Sequence, residues 1–434
     1  MVFFSLLGLS SLTAQERKIE FEEYDLPNGL HVILHEDHST PIVAVAVMYH
    51  VGSKNEDPER TGFAHFFEHL MFEGSENIGR GDYMKIVQNA GGQLNANTTQ
   101  DRTYYYEILP SNQLELALWL ESERMLHAKV DTTGVETQRE VVKEERRQRI
   151  DNRPYGSFTQ EAFKRAFSVH PYHWSVIGSM DHLNAAQIDE FIDFYKTFYV
   201  PNNATLIVAG DIDPDEAKKM INDYFSGIPK SGKAIPRPEV KPVALNGPVI
   251  DTVYDNIQLP ALFDSYRIPG RNTEDYYAMS MLTQLLSGGE SARLNKVLVD
   301  QKQMALAIGA FPYALEDAGL FIIFGIPNAG IPIDSLQMAV DAEIERVKNE
   351  AIPDKEFQKL RNQIKAEFVT NNSTMAGIAS SLATYNVLLG NTALINTEVE
   401  RYMQVTPEDI QRVAREYLAP ANLVRLYYLP KQSQ

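Results

Sequence analysis

The chain contains no cysteine. That excludes disulfides and thiolate metal sites, and leaves any transition metal to histidine and carboxylate ligands. Positive charge is also in deficit: 40 Lys and Arg stand against 58 Asp and Glu, a formal net charge of −18. So acidic a surface argues against nucleic-acid binding, which needs basic patches to displace counterions. It would draw cationic peptides at long range, or simply keep the protein soluble. Long apolar runs are missing too, so no membrane span is expected. There is no phosphate-binding glycine loop and no Gly-x-Ser-x-Gly nucleophile elbow.

What is present begins with MVFFSLLGLSSLTA, apolar from Val2 to Leu12 and then abruptly polar. The run is too short to span a bilayer and resembles the apolar core of a secretory signal, with Ala14 at the cleavage position, although a basic leader is missing. Residues 1–14 are therefore read as a signal remnant and the mature protein as periplasmic or secreted, with the cytoplasm as the alternative. At 434 residues the chain is too long for one ordinary core. Strand-like runs at residues 30–34, 42–50, 103–109 and 204–209 alternate with helical patterns at 62–71, 83–89, 112–130, 133–150 and 187–198. Residues 227–256 carry prolines among Lys, Gly and Ser and read as a linker. Beyond it the order recurs, with strands at 261–268 and 319–326 and helices at 275–286, 293–299 and 332–349. The expectation is an α+β protein of two homologous α/β-sandwich domains, each an antiparallel sheet with helices packed on it. Residues 15–226 are read as the catalytic, zinc-binding domain and 257–434 as a second homologous domain that is inactive.

The chemistry concentrates in His65-Phe66-Phe67-Glu68-His69. Residues four apart lie on one helix face, so the two imidazoles can grip one cation, and Glu68 falls on the same side. Phe63, Phe66, Phe67, Leu70 and Met71 gather on the opposite face, which turns the His/Glu face away from the core. A catalytic zinc takes three protein ligands and keeps a fourth position for water. Glu140, Glu144 and Glu145 in REVVKEE compete for the third place. Val141 and Val142 mark the buried direction; Glu145 projects within about 10° of it, and Glu144 and Glu140 point about 110° and 150° away. A carboxylate on a buried stripe is costly unless paired or bound to a cation, which selects Glu145. Gln138, two turns earlier on that face, is placed to support the ligands by a hydrogen bond. Zinc held by His65, His69 and Glu145 would acidify a water, and Glu68 would serve as general base. His35 and His38 read as a polar loop, and His170 and His173 as structural.

The HxxEH motif with REVVKEE downstream resembles the pitrilysin/insulinase family of inverted zincins, which includes the mitochondrial processing peptidases. The resemblance extends through LPNGLHVILHED, GGQLNANTTQDRTYYYEIL, RPYGSF, HPYHWSVIG and FYVPNNATLIVAGDI. It implies paired α+β domains forming half of a clamshell that closes around an unfolded peptide. It also implies that the strand at Leu94, Asn95, Ala96, Asn97 and Thr98 pairs with substrate backbone. Active complexes of the family usually carry an Arg and a Tyr seven residues apart in the second domain. The matching positions here are Val299 and Leu306. The resemblance therefore implies a zinc-bearing catalytic subunit whose partner supplies the Arg–Tyr pair, or a homodimer. The rival is a non-catalytic peptide-binding or scaffold subunit of the same family.

Overall fold

The computed structural model describes residues 18–431; the proposed signal remnant at 1–14 lies outside them. Two sheets organise the chain. The first runs β1 (Glu22–Asp25), β2 (His31–Glu36), β6 (Ala204–Gly210), β3 (Ile42–Tyr49), β5 (Thr103–Pro110), β4 (Gln93–Thr98) across its width. The second runs β7 (Val249–Asp255), β11 (Leu423–Pro430), β8 (Ala261–Pro269), β10 (Ala318–Pro327), β9 (Ala305–Ala314). Apart from β1, the orders correspond strand for strand. In each sheet one pair is parallel, β2 with β6 and β7 with β11, and the remaining pairs are antiparallel. The duplication expected from element order is thus a duplication of topology. One boundary needs correcting: residues 249–255, expected in the linker, pair with β11 as the edge strand of the second sheet.

Strand β3, IVAVAVMY, lacks the polar alternation of a half-exposed strand, and it is buried on both faces. Val43, Val45, Val47 and Tyr49 face the core that holds the first half's helices. Ala44, Ala46 and Met48 face a separate cluster built around Met375, Ile378, Ala379, Leu382 and Ala383. Those last residues belong to the helix Met375–Val387, which comes from the second half. The exchange is mutual. The helix Phe158–Ala166 of the first half lays Ala162, Phe163 and Ala166 on Phe263, Leu320, Ile322, Val424 and Leu426 of the second sheet. Each half therefore covers the outer face of the other's sheet, which a picture of two domains joined by a linker does not contain.

A buried ion cluster ties the hairpin tips together. Lys54 Nζ stands 3.1 Å from Asp101 in the β4–β5 turn and 3.2 Å from Asp317 in the β9–β10 turn. Asp101 also accepts from Tyr172 Oη at 2.7 Å and from the backbone N–H of Glu316 at 2.9 Å. The turn that ends β4 is thereby fixed to the second half. No helix among the described residues is long and apolar enough to cross a membrane.

Candidate metal centre

The helix Phe63–Leu70 starts at Gly62, whose φ of 101° suits glycine, and a Cβ there would meet the Ile177 carbonyl at 2.9 Å. The free N–H groups at this end are met by Glu56, which accepts from Gly62 at 2.8 Å and from Ala64 at 2.8 Å. Burial pushes the Glu56 carboxyl up to about 8 against the lowering effect of those bonds. Phe63, Phe66, Phe67 and Leu70 are buried, and Phe63 and Phe66 pack on Phe191 at centroid distances of 4.5 and 4.7 Å. This aromatic packing fixes the rotation of the helix and aims His65, Glu68 and His69 the other way.

They face the helix Thr132–Arg146. Donor atoms of His65, His69 and Glu145 all lie within 4.8 Å of one another, the one such histidine and carboxylate group among the described residues. Glu145 Oε2 is 2.9 Å from His69 Nε2 and 3.4 Å from His65 Nε2. It is nevertheless buried without a properly directed hydrogen bond. Three donors that crowd together yet do not align on one another fit a shared central cation. Two imidazoles and a carboxylate also form the donor set of a catalytic zinc. Burial would raise the Glu145 carboxyl, but the two histidines outweigh it and hold the group well below the ordinary carboxylate range. Glu145 Oε1 pairs with Arg149 Nη1 at 2.7 Å, a contact whose arginine is mostly exposed. Immediately after Arg146 the helix widens into a π-type turn, Arg147–Asp151, a departure common at functional sites. The expected helix at 133–150 does not run through regularly.

The three glutamates separate as expected, although one premise fails. Glu140 and Glu144 are exposed and paired with Lys143 and Arg147. Val142 is fully buried, but Val141 is 43% exposed and lines the cleft, so the buried direction is set by Val142 and Val135. Gln138 does not support Glu145. Its Nε2 donates to Glu73 at 2.6 Å, and Glu73 also holds Arg80, so this polar group braces the helix two turns before Glu145. His35 is a buried residue of β2 whose Nδ1 meets the Glu20 carbonyl at 2.6 Å, rather than part of a loop. His38 is exposed and bonds Asp211 and Glu36. His170 accepts from the Tyr172 N–H and His173 meets the Phe167 carbonyl, so both serve the local turn, and His170 Nε2 also stands 3.4 Å from Asp317 of the second half.

Strand β4 lies beside this group at the edge of its sheet and, among the described residues, pairs only with β5. Asn95, Ala96, Asn97 and Thr98 share a cleft of about 780 Å³ with His65, Glu68, His69 and Glu145, while Leu94 is half-buried one position further along. Thr98 Oγ1 donates to Glu68 Oε2 at 2.7 Å and ties the strand to the proposed base. That contact, the Glu56 cap and the Arg149 pair were not foreseen. Only the last had a sequence signal, the i, i+4 spacing from Glu145. Val299 is half-buried, and Leu306, on the edge strand β9, is 58% exposed.

Residues 31–178 match the family model described as Insulinase (Peptidase family M16), and residues 185–364 match the one described as Peptidase M16 inactive domain. The chain belongs to peptidase family M16, the insulinase family. Among its relatives, Zinc protease PqqE of Helicobacter pylori is 31% identical across 98% of both chains. Mitochondrial-processing peptidase subunit beta of Lentinula edodes is 23% identical over 95% of this chain and 90% of its own. A protease from Helicobacter pylori has a similar crystal structure, with TM-score 0.91 and 30% identity over 95% of this chain and all of that one. The periplasmic protease PqqL from Escherichia coli superposes with TM-score 0.77 at 20% identity, over 96% of this chain and 48% of that one.

Proposed function

We propose that the protein is a zinc metalloendopeptidase acting on unfolded peptides, with His65, His69 and Glu145 as ligands and Glu68 as general base. The observation that carries this reading is the meeting of that donor group, Glu68 and an unpaired strand edge in one cleft. A bound Zn²⁺ would supply Lewis acidity toward a water and a peptide carbonyl. The chain's own residues do the rest. The free edge of β4 offers backbone N–H and C=O groups to an extended peptide, which selects unfolded segments irrespective of sequence. Thr98 holds Oε2 of Glu68, leaving Oε1 without a hydrogen-bond partner among the described residues to take the proton of the attacking water. As the carbonyl carbon gains the water oxygen and the C–N bond breaks, that proton passes to the leaving amine.

Val299 and Leu306 provide no polar grip on a substrate from the second half, which favours a dimer in which the partner supplies the arginine and tyrosine. The similarity to a periplasmic protease and the apolar stretch at residues 2–12 support export. The non-catalytic alternative leaves the intact donor group and base without a role. The test is hydrolysis of a quenched fluorescent peptide library by the zinc-loaded protein beside Glu68→Gln. Turnover should fall by roughly 10²–10⁴-fold in the variant, with one zinc per chain retained by elemental analysis. Equal turnover in both would remove Glu68 from the reaction, and zinc bound without turnover in either, alone or with a partner, would favour the scaffold reading.

A further inference from the structure

The second half keeps a cavity in the position of the metal cleft. It lies between the helices Asp275–Ser287 and Asp354–Asn371, which follow β8 and β10 as the histidine and glutamate helices follow β3 and β5. The crossed helix Met375–Val387 closes it, as Phe158–Ala166 borders the space behind His65 and Glu145. Each space also borrows a side chain from the other half's hairpin: Tyr313 reaches the first and Arg102 the second. The cavity measures about 670 Å³.

Its lining has been re-equipped. Ser280, Thr283 and Gln284 show the i, i+3, i+4 spacing of His65, Glu68 and His69. Gln284 Nε2 donates to Glu367 at 3.0 Å, as His69 stands against Glu145. The new element is Arg271. Its Nε is buried without a hydrogen-bond partner, and its guanidinium forms no hydrogen bond or close ion pair with any described residue; it lies 5.6 Å from the centre of the Tyr276 ring, and Glu398, Tyr385 and Tyr402 act on it only through space. Arg102, whose Nη1 donates to the Asn97 carbonyl at 3.1 Å, adds a second positive charge. Glu398, also in the lining, is engaged by the hydroxyl of Tyr385, and burial raises its carboxyl toward the neutral form. A buried guanidinium lining a cavity, with Glu398 acting on it only at a distance and no carboxylate in ion-pair contact among the described residues, leaves its donors open to an anion. Glu367 at the rim disfavours a dianion such as phosphate, so a singly charged group is the better match.

We propose that this cavity is a binding site for a carboxylate, held by the Arg271 guanidinium with Arg102 beside it and the hydroxyls of Ser280 and Ser380 near at hand. The carboxylate could be the C-terminus of a peptide or belong to a free small acid, since the chemistry at the guanidinium is the same. The inference uses none of the metal-cleft residues and stands whether or not that cleft is catalytic.

Isothermal titration of the zinc-loaded protein with acetyl-tetra-alanine as the free acid, the same peptide as its amide, acetate and inorganic phosphate tests it. The free acid should bind at least roughly tenfold more tightly than the amide, and phosphate should be weaker than the preferred carboxylate. Acetate matching the peptide acid identifies a small-acid site, and the peptide acid outdoing acetate identifies a peptide terminus. Arg271→Met should abolish the difference between acid and amide, while His65→Ala should leave it intact. Should Arg271→Met fail to fold, the acid-against-amide comparison on the unaltered protein, with and without the His65→Ala change, still decides. Equal binding of acid and amide, no binding of either, or a preference lost in His65→Ala would overturn the proposal.

Discussion

The two halves share a strand order, a crossed helix and a polar cavity between equivalent helices, yet the cavities present opposite chemistry. In the first, two imidazoles and a carboxylate converge with a donor group suited to a cation. In the second, small hydroxyls and an amide stand at the same spacing, and an unpaired guanidinium faces them. The scaffold that aims side chains into the space is common to both, while the occupants at three helix positions and one neighbouring loop differ. Fold and site are thus separable even within one chain.

The comparison can be tested most severely by rebuilding the first chemistry in the second half. Ser280→His with Gln284→His would set two imidazoles opposite Glu367. With Arg271 retained, metal stoichiometry should stay at that of the parent protein, because the guanidinium repels a cation. With Arg271→Met added, equilibrium dialysis should find a second zinc per chain. A failure to gain it would mean that the two helix pairs are not equivalent at side-chain level.

A smaller effect contrasts the buried arginines. Arg425 in the second half makes a two-pronged contact with buried Asp264, at 2.7 and 2.6 Å, and reaches Asp341. Arg124 in the first half stands 3.4 and 3.6 Å from Glu121 and Glu107 and lies over the rings of Phe72, Tyr83 and Tyr105. Arg425→Met strands a carboxylate and should lower unfolding free energy by about 3–5 kcal/mol. Arg124→Met should cost less, about 1–3 kcal/mol, because its guanidinium makes no directed hydrogen bond to Glu107 or Glu121 for the change to break. Denaturant titration of both variants checks the order.

A last contrast, confined to one pH interval, concerns how the two equivalent helices begin. The helix Asp275–Ser287 has no side-chain cap, whereas the histidine helix is met by Glu56. With its folded-state value raised to about 8 from an ordinary 4.5, Glu56 contributes stability that is complete below about pH 4.5 and is lost as pH rises through 8. Glu56→Gln stays neutral throughout, so its stability should decline less than the parent's across that interval, by up to about 5 kcal/mol if the whole shift is expressed. Parallel declines in denaturation experiments at the two ends would remove Glu56 as the source.

How far these features could be read from sequence follows from their range. The histidine motif was legible because a helix fixes the relation of residues three and four apart, and Glu145 because its helix has one buried stripe. The error about Val141 had the same source, since an apolar residue beside a cleft looks like core in a periodic pattern. Gln138 was misassigned because a helical face indicates direction but not which of several acceptors lies in reach. The crossing of Phe158–Ala166 and Met375–Val387 left only an indirect trace, the unbroken apolar character of β3, which calls for cover on both faces without naming its source. Arg271 gave no signal at all, because an arginine without a partner is defined by what surrounds it in space.

The crossed helices have one more consequence, for the integrity of the chain. A clip between residues 230 and 245 would cut the covalent connection but leave each fragment with its helix seated on the other's sheet. The fragments would remain clasped like linked hands, and neither sheet could be stripped bare without unfolding its neighbour.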